Sequence, residues 1–262
     1  MLAVLSIAGS DSSGGAGIQA DIKTIAAHRL FAETALTALT AQNTTGVFAL
    51  EELSPRFVAQ QIDAVFEDIR PAAVKIGVVS SAAIVEAIAE RLAHWKAENI
   101  VLDPVMIATS QAKLINDDAV GALRERLIPL ANLITPNLFE AEVLSGLSLT
   151  TDEEQARAAV LLAQSTRCAV LVKGGHNTER ADDVLATKEG EVVWARGARI
   201  ETGNTHGTGC TLSSAIACNL ALGLDMAAAV RKAKDYVTGA LENGINLGQG
   251  SGPINHMWEY RD

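Results

Sequence analysis

Short continuous apolar runs alternate along this chain with longer stretches whose apolar residues recur every three or four positions. The runs predict β-strands over 2–8, 35–41, 73–78, 100–105, 133–135 and 169–172. The longer stretches predict helices over 16–27, 56–68, 82–96, 117–127, 152–164, 211–222 and 225–242. A run such as "AVLV" at 169–172 offers no polar face, so it expects cover on both sides, as in a parallel sheet between helices. Strand–helix alternation of this kind implies right-handed βαβ units in an α/β fold: a three-layer α/β/α sandwich with a mostly parallel central sheet. Local punctuation agrees. Thr151-Asp152-Glu153-Glu154 offers a capping box to the helix that follows, and Pro55 after Ser54 sits in the favoured first-turn position. In 183–199, "VLAT" and "EVVWA" flank Lys188-Glu189-Gly190, which predicts a hairpin on the sheet's edge. No linker, low-complexity tract or repeat interrupts 1–262, so a single domain is expected.

Composition narrows the partners. A chain of 262 residues that is 48% hydrophobic supports one sizeable core. The formal net charge is −10 with no Lys/Arg block, which argues against nucleic acid and anionic membrane surfaces. An anionic substrate would need a local pocket of backbone amides or a few cations. Three cysteines, Cys168, Cys210 and Cys218, fit neither a disulfide framework nor a zinc site, and a cytoplasmic setting is expected. The apolar N-terminus lacks the basic flank of a signal peptide, and the uncharged segment 203–224 is too polar to span a membrane.

In such a fold ligands sit beyond the carboxyl ends of the strands. Polar groups and glycines gather there at Gly9-Ser10-Asp11, Gln42-Asn43, Lys75-Ile76-Gly77, Asp103-Pro104-Val105, Thr135-Pro136-Asn137 and Lys173-Gly174-Gly175. Two glycine loops stand out. The first, "SIAGSDSSGGAGIQAD", contains Gly15-x-Gly17-x-x-Ala20, which imitates a dinucleotide fingerprint. The apolar run ends at Ala8, so Gly15 comes too late to make the strand-to-helix turn, and Asp11 would repel a pyrophosphate. No Gly-Lys-Ser/Thr phosphate loop is present either. The glycines point instead to close backbone approach to a ligand, with Asp21 one turn beyond Gly17 able to aim a carboxylate at it; a plain surface turn is the alternative.

The second loop, "NTHGTGCTLSSAIACNLALG", runs straight into a strong helix at Thr211. The amides of Gly207, Thr208, Gly209 and Cys210 would be unpaired helix-start donors, an anion site built without Lys or Arg. Such a site suits a phosphoryl group whose charge spreads in the transition state. Cys210 at a helix start expects a lowered thiol pKa and a thiolate able to accept a proton. Cys218 and Cys168 are expected in the core.

Together "SIAGSDSSGGAGIQADIKT", "LTAQNTTGV", "VKIGVV", "VLDPVM", "ITPNLFEAE", "VLVKGGH" and the second loop resemble, in order and over nearly the whole chain, the hydroxymethylpyrimidine/phosphomethylpyrimidine kinases of thiamine biosynthesis, which are ribokinase-like. The resemblance implies ATP-dependent phosphorylation of 4-amino-5-hydroxymethyl-2-methylpyrimidine, then of its monophosphate. It also implies a mostly parallel sheet and a homodimer. By the same resemblance Gln42 pairs with the pyrimidine edge, Gly9 and Asp21 line the pocket, and Val105 touches the ring. Gly207, Thr208 and Gly209 form the anion hole and Cys210 is the base. Asn137 and Glu140 place Mg²⁺, Asp103 assists with metal or phosphates, and Lys173 and Lys234 contact phosphate. The chain departs from many relatives at Ile107-Ala108-Thr109-Ser110-Gln111-Ala112, a flap that commonly reads "VAKSGD", and at Val78, where methionine is common. A pyridoxal/pyridoxine kinase is the nearest rival reading. A non-catalytic ring-binding protein on the same scaffold and a dinucleotide oxidoreductase are more distant ones.

Overall fold

The apolar runs stand side by side in one sheet. The computed structural model describes residues 1–106, 116–174 and 181–260. The strands are β1 (Ala3–Asp11), β2 (Phe31–Asn43), β3 (Gly46–Glu52), β4 (Ala73–Ile76), β5 (Ile100–Leu102), β6 (Leu133–Ile134), β7 (Ala169–Val172), β8 (Asp183–Ala186) and β9 (Val192–Ala195). Among the described residues they form a nine-stranded sheet in the order β3-β2-β1-β4-β5-β6-β7-β8-β9. Pairing is parallel from β2 through β1, β4, β5 and β6 to β7, and antiparallel at both edges. The predicted hairpin over 183–199 is β8 and β9, turning where Gly190 adopts φ 90°.

The helices are α1 (Gly17–Ala27), α2 (Pro55–Asp68), α3 (Ala82–Trp95), α4 (Asp117–Ala122), α5 (Leu138–Ser145), α6 (Asp152–Thr166), α7 (Thr208–Ala221) and α8 (Met226–Glu242). They cover both faces. Val58 and Ile62 of α2, Ile84 and Ile88 of α3, Ala141 of α5 and Ala159 of α6 share one core with the inner side chains Leu5, Ile7 and Ile76. On the opposite face Ile25 of α1, Ala215 and Ile216 of α7 and Val230 of α8 pack on Val4, Val101 and Leu171. The expected three layers are present. Ser54 caps α2 ahead of Pro55, and the Thr151/Glu154 capping box opens α6.

Several boundaries moved. β1 runs on to Asp11, because Ser10 and Asp11 pair with Leu39 and Thr40 of β2 beyond a register shift at Gly9. The helix expected over 117–127 is α-helical only to Ala122 and widens into a π-turn, Leu123–Leu127, just ahead of Pro129, which has no N–H to give. β3 and α5 were not anticipated.

Candidate active site

The two glycine loops are docked on each other. A Cβ on Gly207 would lie 1.9 Å from the Gly15 carbonyl oxygen, and one on Gly15 would lie 2.4 Å from the His206 ring. Only glycine permits that approach. The amides of the first loop turn inward, not towards a ligand. Asp11 accepts from the N–H of Ser13 (2.8 Å), Gly15 (3.1 Å) and Ala16 (2.8 Å), from Ser13 Oγ (2.7 Å) and from His206 Nε2 (2.8 Å). Burial alone would raise the Asp11 carboxyl, but the hydrogen bonds from His206, Ser13 and Ala16 outweigh it and hold it at about 2. A carboxylate therefore fills the nest a dinucleotide phosphate would need. The first loop buttresses the second.

That second loop delivers α7. Gly207 is its N-cap in the left-handed region at φ 85°, and the helix starts at Thr208, a turn earlier than the sequence suggested. Thr208 N–H is engaged by the Thr205 carbonyl at 3.3 Å, so it is not among the free donors as expected. Among the described residues the amides of Gly207, Gly209 and Cys210 have no protein acceptor. The helix dipole adds positive potential at the same place.

Cys210 is half-buried in the first turn of α7, whereas Cys168 and Cys218 are core residues, as expected. The surroundings of Cys210 are polar. Burial pushes its thiol up, against the lowering expected of a helix start; Lys75 pulls it down, while Asp21 and Asp103 add to the rise. Any thiolate here depends on charges brought by other elements.

Beside this turn three strand ends bring a charged cluster together. Lys173 Nζ, after β7, donates to Asp103 Oδ1, after β5, at 2.7 Å, and Thr135 Oγ1, after β6, donates to the same oxygen at 3.0 Å. A Cβ on Gly209 would stand 3.5 Å from Asp103 Oδ2 and 3.6 Å from Lys173 Nζ, so the α7 loop lies against the pair. Burial disfavours charge on Lys173, but Asp103 and Glu140 more than offset it and keep the ammonium protonated. Glu140 is almost fully buried; its Oε2 accepts from Asn137 N–H at 2.8 Å and its Oε1 from Met106 N–H at 3.3 Å. Asn137 Oδ1 accepts in turn from Glu140 N–H at 2.9 Å, a capping box that opens α5. Burial raises the Glu140 carboxyl well above the usual range, Lys173 opposing and Asp103 adding to the rise. Two buried carboxylates next to an anion site are the donor chemistry a hard divalent cation takes up, chiefly through water.

Gln42 ends β2 half-buried, its amide 3.4 Å from His206 Nε2 and 3.1 Å from Thr40 Oγ1. Because Nε2 of His206 must donate to Asp11, the amide oxygen of Gln42 belongs on the His206 side and its NH₂ on the Thr40 side. Gln42 thus touches the loop that carries Cys210. Gly9 lies buried at the β1/β2 register shift, and Val105 is half-exposed after β5. Two expected site residues are placed otherwise. Asp21 is fully buried and bonded to Lys75 Nζ at 2.7 and 2.9 Å, to Ser6 Oγ at 2.5 Å and to Ser214 Oγ at 2.7 Å, so it aims at no pocket. Lys234 is held by Asp183 at 2.7 Å and by the Ala181 carbonyl, and is not a free phosphate contact. The flap, 107–112, lies outside the described residues. Lys75 and His206 lie in quoted motifs, and Lys75 among the strand-end polar groups, but neither was given a role; Lys75 sits inside an apolar strand, where a lone buried cation is itself the signal.

The model of the family described as phosphomethylpyrimidine kinase matches residues 11–255 of this chain. The chain belongs to the phosphomethylpyrimidine kinase family. A hydroxymethylpyrimidine/phosphomethylpyrimidine kinase of Rhizobium meliloti (strain 1021) is 48% identical over 257 residues, covering 97% of this chain and 96% of that one. A crystal structure of phosphomethylpyrimidine kinase from Clostridium difficile 630 aligns with a TM-score of 0.82 at 44% identity, over 92% of this chain and 100% of that one. An ADP complex of Bacillus subtilis pyridoxal kinase aligns with a TM-score of 0.92 at 35% identity over the whole of both chains. Membership makes the chain a kinase with ATP as its phosphoryl donor.

Proposed function

We propose that the chain transfers the γ-phosphoryl group of ATP to the hydroxymethyl oxygen of 4-amino-5-hydroxymethyl-2-methylpyrimidine, and then a second one to the resulting monophosphate, for thiamine biosynthesis in the cytoplasm. The observation that carries this is the free amides of Gly209 and Cys210 around a half-buried cysteine, behind the loop that Gln42 touches. Gln42 offers a donor and an acceptor to the aminopyrimidine edge, with Gly9 and Val105 shaping the ring's seat. The amides of Gly207, Gly209 and Cys210 hold the γ-phosphoryl oxygens as charge develops. The thiolate of Cys210 takes the hydroxyl proton as the substrate oxygen bonds to phosphorus, and the bond from phosphorus to the bridging oxygen of ADP breaks. Lys173, beside Gly209, would follow the transferred group. Asp103 and Glu140 would hold Mg²⁺, with Asn137 aiming Glu140 through the α5 cap; the ion would neutralise phosphate charge.

MgATP-dependent ADP release with the aminopyrimidine alcohol, compared with pyridoxal, tests the reading. A large preference for the pyrimidine is expected, and Gln42→Leu should weaken its binding by roughly 1–3 kcal/mol. A second reading, pyridoxal phosphorylation, is favoured by the close fit to the Bacillus subtilis enzyme; preference for pyridoxal would select it. Release that stays flat with every alcohol would leave a ring-binding protein.

A further inference from the structure

The Lys75–Asp21 pair has no part in the transfer as derived so far, yet its place in the fold is demanding. Both side chains are fully buried. Burying two charges is unfavourable unless their geometry is good, and apolar residues of similar volume usually serve stability as well. Stability alone does not account for them; position does. One observed bond joins α7 to α1 beneath the site: Ser214 Oγ donates to Asp21 Oδ1 at 2.7 Å. Cys210 and Ser214 are one turn apart on α7, so the ion pair lies one turn along the helix face that carries the sulfur. Lys75 Nζ reaches the same place from β4 through its bonds to Asp21 at 2.7 and 2.9 Å.

We propose that Lys75 is a positioning residue for the phosphoryl transfer: held by Asp21, its ammonium group supplies the local positive charge that stabilises Cys210 once the sulfur is negative. The inference rests on Cys210 being the proton acceptor. Four charged groups act electrostatically on the thiol: Lys75 from β4, Asp21 from α1, Asp103 after β5 and Lys173 after β7. Lys75 is the strongest of the charges on it, and it opposes the rise due to burial, Asp21 and Asp103. Asp21 orients the ammonium and tempers its effect. Ser6 and Ser214 complete the shell of Asp21 and hold its carboxylate in place.

The test is the pH dependence of Cys210 alkylation by iodoacetamide, read by peptide mass spectrometry on the full chain without nucleotide. Lys75→Met should raise the midpoint by about one unit, the lower end of the effect of an adjacent charge. Asp21→Asn should lower it. A purely structural role would not move the two in opposite directions. Each single variant strands a buried charge, so the neutral double variant Lys75→Met/Asp21→Asn is measured as well, and its midpoint should also rise. In the unaltered protein the Lys75 ¹⁵Nζ resonance should titrate with the Cys210 midpoint and cease to do so in Cys210→Ala. An unshifted midpoint in a folded variant, or a flat Nζ resonance, overturns the assignment of Lys75. Full turnover in Cys210→Ala overturns the base instead, and leaves the thiol titration standing.

Discussion

Two residues differ in what their chemistry asks of the protein. A hydroxymethyl group must lose a proton to attack phosphorus, whereas a phosphate monoester is already anionic near neutral pH. Cys210→Ala should therefore cut the first phosphorylation about 10²-fold or more and the second much less. Single-turnover assays begun from the alcohol and from the monophosphate would measure the split, and equal losses would contradict it. Glu33, at the β1 register position of Leu5, has an orphaned buried oxygen, Oε2. Burial first, and Asp68 second, raise its carboxyl from 4.5 to about 7. The folded state keeps that proton after the unfolded chain has lost it, so Glu33 is neutral to stability below pH 4.5 and an increasing penalty from there to pH 7. Glu33→Gln should raise Tm at pH 8 and leave it nearly unchanged at pH 4; thermal melts at the two values check this.

At the scale of elements, what the sequence made legible was what is buried on two faces. β7 was found to the residue because "AVLV" is apolar throughout, and α2 and α6 were found by their caps. β3, "GVFALEE", was missed because most of it is exposed, so its few apolar residues mark no buried face. α5 was missed because it is short and apolar on several sides, although its Asn137 cap was noticed. The start of α7 was misplaced because glycines lack helix propensity, and here Gly209 lies inside the first turn. The role of the first loop was not legible at all: glycines that suggested a ligand serve a partner loop 190 residues away, and only coordinates place Gly15 against Gly207 and His206. Contrasting two glycines of positive φ shows the difference. At Gly146, C-cap of α5, nothing stands within 4 Å of an added Cβ, so Gly146→Ala should cost about 1 kcal/mol of backbone strain and spare activity. Gly207→Ala would drive the loops apart and should lower kcat as well as Tm. Melting curves and steady-state rates on both variants distinguish these outcomes.

For the whole molecule the same sheet has two unlike edges. The β8–β9 edge lies against α8, but among the described residues β3 is a largely exposed edge strand. Phe48 and Leu50 alternate along it, with Phe48 69% exposed. An exposed apolar edge strand is a pairing hazard that folds normally cover. We propose that a second copy of the chain covers it, which is the homodimer the family resemblance implied. The site stands to gain, because β3 continues directly from β2, whose last turn carries Gln42, and the 42–47 pairing contains a second register shift. Ordering that hairpin in a dimer would steady Gln42 against the ring. Phe48→Glu should then leave a folded monomer in sedimentation equilibrium. KM for the pyrimidine should rise while kcat holds, since Cys210 and the free amides lie on another element, at the start of α7. A chain that sediments as a monomer without the substitution would remove the dimer, and a dimer that survives Phe48→Glu would move its interface elsewhere.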